Sequence, residues 1–270
     1  MINYTQRISG LMRDIVARVP RLSYIDADEL LVFARYGRSG AEGAFATCHC
    51  LSLPDSEPGY YYWRDRETGS ITRRSRWFVT KSPSVSVAGR PIPYLVSFTL
   101  PRFCNQTLTG ARKEKYYRKG TPDWIAKLDT VVHELYHIDP EASGIRHVER
   151  ADGLPSVSSH GRDFLKTVAD MVREYLGGEP DPTSYEFLRY SFSELEQRYG
   201  GVAATTFRNY PSYPQRYIEV LSPADQLEMP AAVPIQPLKT HHTATTFTDG
   251  DLAVRQFLIG STRRVPLVLP

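Results

Sequence analysis

Two histidines four residues apart enclose a glutamate in the run His133-Glu134-Leu135-Tyr136-His137. On a helix that spacing puts both imidazoles on one face, one turn apart, where they can grip a single ion. Imidazole nitrogen suits zinc, and a hydrolytic zinc takes three protein ligands and leaves the fourth position to water, whose pKa the ion lowers toward neutrality. Glu134, adjacent to the first ligand, is then placed to accept that water's proton and deliver it to a leaving amine. The pattern points to metal-assisted hydrolysis of a peptide bond, with Glu134 as general base. The plain alternative is a surface helix whose histidines fall at this spacing by chance.

Two ligands do not make a tight site, so a third must come from elsewhere. The downstream candidates are Asp139, Glu141, His147, Glu149, His160, Asp163 and Glu174. Histidine is the simplest choice for zinc. His147 stands in the connecting stretch Gly144-Ile145-Arg146-His147, where an exposed ring is the plainer reading. His160 begins a helix that can pack across the first and present its ring toward the metal, and it is preferred. A pattern with the third ligand six residues after the second would need histidine at 143; Ser143 excludes it. Tyr136 can either pack or point into a cleft and hydrogen-bond a tetrahedral intermediate, and the sequence does not separate the two. Arg146, Arg150 and Arg162 are candidates for steadying a developing oxyanion, with surface exposure as the alternative for each.

These residues need elements to position them. Thr121-Pro122-Asp123 announces a helix: Thr121 can cap, Pro122 suits the first turn and Asp123 favours the positive dipole end. Its apolar stripe is Trp124, Ile125, Leu128, Val131, Val132, Leu135 and Ile138, and it should stop before Pro140. A further helix is expected from His160 or Gly161 to Leu176, with Ser158 and Ser159 as caps and Gly177-Gly178 as the stop. Others are expected over Arg7 to Val19, closed by Pro20, and over Tyr185 to Tyr199. Between Leu30 and Leu100 the texture is of short β-branched and aromatic runs: Leu30–Ala34, Ala46–Leu53, Tyr60–Trp63, Trp77–Thr80 and Tyr94–Leu100. The expected class is α+β, a small mixed or antiparallel sheet packed on the His133–His137 helix, followed by a helix carrying the third ligand. The expected division is a domain over 1–183, then a C-terminal helix and a Pro/Thr-rich extension over 184–270, which reads as docked or as a small β module.

The pairing of His133-Glu134-Leu135-Tyr136-His137 with His160-Gly161-Arg162-Asp163-Phe164 resembles the SprT-like zinc metallopeptidases, in which a helical HExxH is followed by an HGxxF segment. More closely, the run from Val131 to Leu176, including His137-Ile138-Asp139-Pro140, is similar to a metallopeptidase family of phages and prophages. The likeness is tight from Val131 to Leu176 and loose from Leu30. It implies a zincin-like core, Zn2+ held by His133, His137 and His160, Glu134 as general base, and Phe164 packed behind the site. Some SprT-like proteins carry a C-terminal zinc ribbon with paired cysteines, but no cysteine follows Cys104 here, so activities depending on that ribbon do not carry over.

Composition sets outer bounds. The chain has 270 residues, is 41% hydrophobic and 23% charged, and can bury a core. Its apolar runs are far shorter than the roughly 20 residues a membrane helix needs, and Arg13, Asp14 and Arg18 interrupt any leader-like segment; a cytoplasmic protein without a membrane association is expected. Three cysteines make no disulfide framework. Cys48, His49 and Cys50 alternate on an expected strand, so the thiols face one side and His49 the other, which is poor geometry for one ion; together with Cys104 they could form a second metal site, and buried or half-buried thiols are the favoured reading. The net charge of +3 does not by itself call for a polyanion. Arg112-Lys113-Glu114-Lys115-Tyr116-Tyr117-Arg118-Lys119 and Arg73-Arg74-Ser75-Arg76-Trp77 interleave cations with aromatics, a pattern that can bind nucleic-acid phosphates and bases, though a solvated loop is the favoured reading. His241-His242 is expected to be exposed in the tail. The expected partner is a protein or peptide substrate, with nucleic acid the less favoured partner; the alternatives are a SprT-like DNA-associated protease acting on DNA-bound proteins and a non-catalytic zinc-binding regulatory protein.

Overall fold

The chain begins with β1 (Ile2–Asn3) and α1 (Tyr4–Arg18). The Asn3 side chain accepts a hydrogen bond from the Gln6 N–H at 3.2 Å, and this cap starts the helix earlier than its apolar spacing suggests. Ile8, Leu11, Met12 and Ile15 form its buried stripe, and Pro20 follows its end. Seven strands come next: β2 (Leu30–Gly37), β3 (Ala46–Cys50), β4 (Tyr62–Arg64), β5 (Ile71–Ser75), β6 (Ser84–Val87), β7 (Arg90–Ile92) and β8 (Tyr94–Pro101). The helices α2 (Ile125–Tyr136), α3 (Phe164–Gly177) and α4 (Phe192–Tyr199) lead to β9 (Val202–Phe207), β10 (Ile218–Val220), β11 (Thr246–Phe247), β12 (Leu252–Leu258) and β13 (Ser261–Arg264). The computed structural model describes residues 1–37, 43–50, 62–64, 71–75, 84–138, 160–208, 218–220, 246–259 and 261–264; the expected strand at Trp77–Thr80 and the His241-His242 tail lie outside them. Among the described residues the fold is mixed α and β, with four α-helices and small sheets, and no helix is long and apolar enough to cross a membrane.

The sheet that matters most has the order β2-β8-β3, with β2 parallel and β3 antiparallel to the central β8. Period-two alternation sorts its side chains. Val32, Ala34, Ala46, Tyr94, Val96, Phe98 and Leu100 enter the main core with α1 and α2, while Phe33 and Leu95 enter a second cluster with Val85, Ile92, Phe207 and Phe247. Burial on both faces explains why β8 reads as an almost continuous apolar run.

α2 is wrapped on most sides, by α1, α3 and β3. Every residue from Ile125 to Val132 is buried. Its start differs from expectation: the cap position is Trp124, with no side-chain cap. Thr121 Oγ1 instead donates to Arg118 O (2.7 Å), and Asp123 Oδ1 accepts from the N–H groups of Leu108 (2.9 Å) and Thr109 (3.0 Å). Both residues satisfy the preceding loop before the helix. α3 likewise starts at Phe164 with Asp163 at its cap position, so His160 precedes the helix; Ser158 and Ser159 lie outside the described residues.

The single helix expected over Tyr185 to Tyr199 is divided into a 3-10 turn, Glu186–Arg189, and α4. Ser191 breaks it: its side chain accepts from Glu194 N–H, and the Glu194 carboxylate accepts from Ser191 N–H at 2.6 Å, a reciprocal capping box. The division drawn between 183 and 184 does not separate two cores. Phe187, Leu188, Phe192, Leu195, Val202 and Ala204 pack into the same core as Ile2, Tyr4 and Ile8, and β9 pairs in parallel with β1. Long-range strand pairing draws the two ends of the chain together, and local composition carries no trace of it.

Candidate metal centre

The last turn of α2 presents His133 and, at its cap, His137. Their ring centroids are 4.8 Å apart. His160, arriving just before α3, completes a triangle: its Nε2 lies 3.0 Å from that of His133 and 3.2 Å from that of His137. The ligand atoms of all three lie within 4.8 Å of one another. Two imidazole nitrogens on a tetrahedral ion with bonds of 2.0–2.1 Å stand about 3.4 Å apart, and the two separations that His160 makes are within a few tenths of an ångström of that. Three nitrogens facing one another cannot all be satisfied by mutual N–H donation, whereas one cation can take a lone pair from each. The three histidines are close enough to bind a metal.

Phe164, the first residue of α3, holds the rings in place. Its centroid is 4.7 Å from that of His160 and 4.9 Å from those of His133, His137 and Tyr136. The buried ring is thus a platform shared by both segments. Tyr136 is half-buried and packs against it, and Arg162 is exposed beside His160. His137 is 8% exposed, His133 half-buried and His160 exposed, so the site opens on the His160 side.

Burial disfavours the charged form of His133 and His160, and the neutral imidazole is the form that ligates metals. Desolvation pushes His133 down to about 2, with the charges of His137, His160 and Lys113 adding to the effect. Burial also lowers His160. Glu134, 4% exposed, is pushed up to about 8 by desolvation, against the opposing effects of a hydrogen bond from the Cys48 backbone N–H and of Lys113 and Arg35. That hydrogen bond orients β3. In an antiparallel strand, alternate N–H groups point to opposite edges. Because β3 pairs only with β8 among the described residues, the edge carrying the Cys48 N–H is the open one, and it faces Glu134.

Sequence reasoning missed the support beneath this face. Asp129, four residues before His133 and wholly buried, accepts from Lys113 Nζ (2.6 Å) and Tyr117 Oη (2.6 Å). Lys113 also donates to Ala126 O (3.0 Å) and Thr130 Oγ1 (2.8 Å), so it is no solvated loop cation. Tyr24 Oη donates to Ile138 O (2.9 Å), fixing the chain just past His137. A carboxylate set among Leu128, Val131 and Val132 was a readable sign of a buried ion pair, but its partner was not.

The other candidate residues stand apart. Asp163 and Glu174 are exposed and outside the histidine cluster. Asp139, Glu141, His147 and Glu149, and with them Arg146 and Arg150, lie outside the described residues. Cys48 is half-buried against the main core and Cys104 is buried, and neither belongs to a metal-binding cluster among the described residues. The Cys50 side chain, the side chains of Arg73 to Ser75, and Arg76-Trp77 are also outside them. Compared with known proteins, the chain matches no family model, no curated protein and no solved structure.

Proposed function

We propose that this chain is a zinc metallopeptidase of the zincin-like, phage-related kind, in which His133, His137 and His160 hold the ion and Glu134 is the general base. The observation that carries the proposal is the convergence of three imidazole Nε2 atoms, two of the separations being 3.0 and 3.2 Å, beside the buried Glu134. When bound, zinc supplies Lewis acidity toward a carbonyl oxygen and toward water. Glu134 takes a proton from water as the water oxygen bonds to the peptide carbonyl carbon. It returns that proton to the amide nitrogen as the C–N bond breaks, leaving an acid and an amine. Desolvation, only partly opposed by the Cys48 N–H, Lys113 and Arg35, pushes the Glu134 carboxyl up to about 8, and a neighbouring dication would favour the ionised form that the base role requires. Arg162, exposed and two residues after His160, is a candidate for steadying a developing oxyanion.

A non-catalytic regulatory role leaves Glu134 unexplained, because a structural zinc needs no base. Purified protein is expected to carry near-stoichiometric zinc by elemental analysis and to lose it in H160A. Protein free of zinc, or H160A that retains it, refutes the ligand set. E134Q is expected to keep the metal and abolish cleavage of the natural substrate, identified by comparing proteomes exposed to the wild-type and E134Q proteins; turnover by E134Q refutes the base role.

A further inference from the structure

The segment between β8 and α2 has no regular structure beyond two 3-10 turns, yet it is fastened along its length. Asp123 holds the Leu108 and Thr109 N–H groups, and Glu114 Oε2 accepts from Gly110 N–H at 2.7 Å. Lys113 and Tyr117 are bound to Asp129, and Tyr116 O accepts from Arg173 Nη1 of α3 at 2.9 Å. Gly110 (φ 78°) and Gly120 (φ 86°) turn the chain through the left-handed region that favours glycine. The loop so held walls a concavity of about 560 Å3, within the range of small-ligand sites.

Four cations line that concavity: Arg112, Lys115, Arg118 and Lys119. All four are exposed, and none forms an ion pair among the described residues; Lys115 has only the Tyr116 ring, 5.0 Å away. The loop's two carboxylates, Glu114 and Asp123, already accept backbone N–H groups, and Lys113 is matched by Asp129. A concave surface with several uncommitted charges of one sign concentrates counter-ions, and a loop fixed in advance loses little entropy on binding one.

We infer that this loop is a binding site for nucleotide phosphates, either the oligophosphate of a free nucleotide or the successive phosphodiesters of a single strand. Several charges packed into one compact group match four cations around one hollow better than the single charge of a carboxylate, and guanidinium groups bind phosphate oxygens in pairs. Tyr117, which also lines the hollow, offers aromatic surface. The site uses none of the histidines or Glu134, so it stands or falls independently of the hydrolytic reading.

The test is calorimetric titration of the full chain at low salt with ATP, a short oligothymidylate and hexaglutamate. One-to-one binding of ATP, of the oligonucleotide or of both is expected; binding of only one identifies the source. Oligonucleotide affinity should fall with salt with a log–log slope of about −3 if four phosphates are contacted. R118E/K119E should weaken binding by roughly tenfold or more per cation, and the milder R118Q/K119Q by less. R7E, a charge reversal at an exposed residue of α1, should leave binding unchanged. The inference is overturned if neither phosphate probe binds at low salt, if hexaglutamate binds as tightly as they do, or if R7E weakens binding as much per charge as R118E/K119E.

Discussion

Replacing Lys113 by methionine would remove an ammonium that makes three bonds at 2.6, 2.8 and 3.0 Å and would leave Asp129, wholly buried, with only the Tyr117 hydroxyl as a donor. Lys113 itself is 12% exposed, so screening by solvent is slight. Removing one partner of such a pair typically costs about 3–5 kcal/mol, because the remaining charge has no water to return to. In a chain of this size that corresponds to a fall in Tm of roughly 10 °C. The triple variant K113M/Y117F/D129L removes the charge together with both of its partners and should recover most of the loss, since an apolar replacement of a whole buried network is often close to neutral. Urea unfolding of the wild type, K113M, D129L and the triple variant would measure this coupling. If K113M costs less than about 1 kcal/mol, or the triple variant is as unstable as K113M, the pair is not the buried strut described above.

Three further outcomes follow from the same geometry. F164A should destabilise the fold by about 3–5 kcal/mol through the cavity it opens, and should weaken zinc binding at least about tenfold in a competitive chelator titration, because the rings lose their shared platform. Chelation of divalent ions should lower the melting temperature, reversibly on adding zinc, by the linkage that gives about 2.7 kcal/mol at a ligand concentration of 100 Kd; an unchanged melting curve would count against a metal bound to the native state. His49, hydrogen-bonded to Ser97 Oγ at 3.0 Å, is pushed down to about 4 by burial, with Arg35 adding to the effect. A base with a depressed folded-state pKa contributes stability that is present above its unfolded pKa of about 6.5 and is lost as pH falls toward 4, so His49 should account for about 2 kcal/mol of the loss between pH 7 and 5. H49Q, which does not titrate, should show a correspondingly flatter dependence of its urea midpoint on pH.

Local signals located the helices because their causes are local. The stripe from Ile8 to Ile15 and that from Ile125 to Ile138 are both buried as their spacing predicts. The Ser191 and Glu194 box was equally readable, being a serine followed three residues later by glutamate, and attention to it would have divided the expected helix from Tyr185 correctly. Thr121 and Asp123 misled for the opposite reason: a capping side chain can serve any nearby backbone N–H or C=O, and here the preceding loop claims both. The join of β1 to β9 pairs Ile2 with Val202, and that of α4 to the main core likewise depends on contacts between residues distant in sequence.

At the candidate site the same distinction holds. Residue type and the four-residue spacing determined that His133 and His137 share one face of α2 with Glu134 beside them, because helix geometry is a property of consecutive residues. Only the tertiary structure decided that His160 Nε2 comes within 3.2 Å of both, that β3 turns the Cys48 N–H toward Glu134, and that Asp129 is neutralised from a loop by Lys113. Each of these joins residues far apart in the chain, and such contacts are set by how apolar faces pack together, a global balance that no short window of sequence contains.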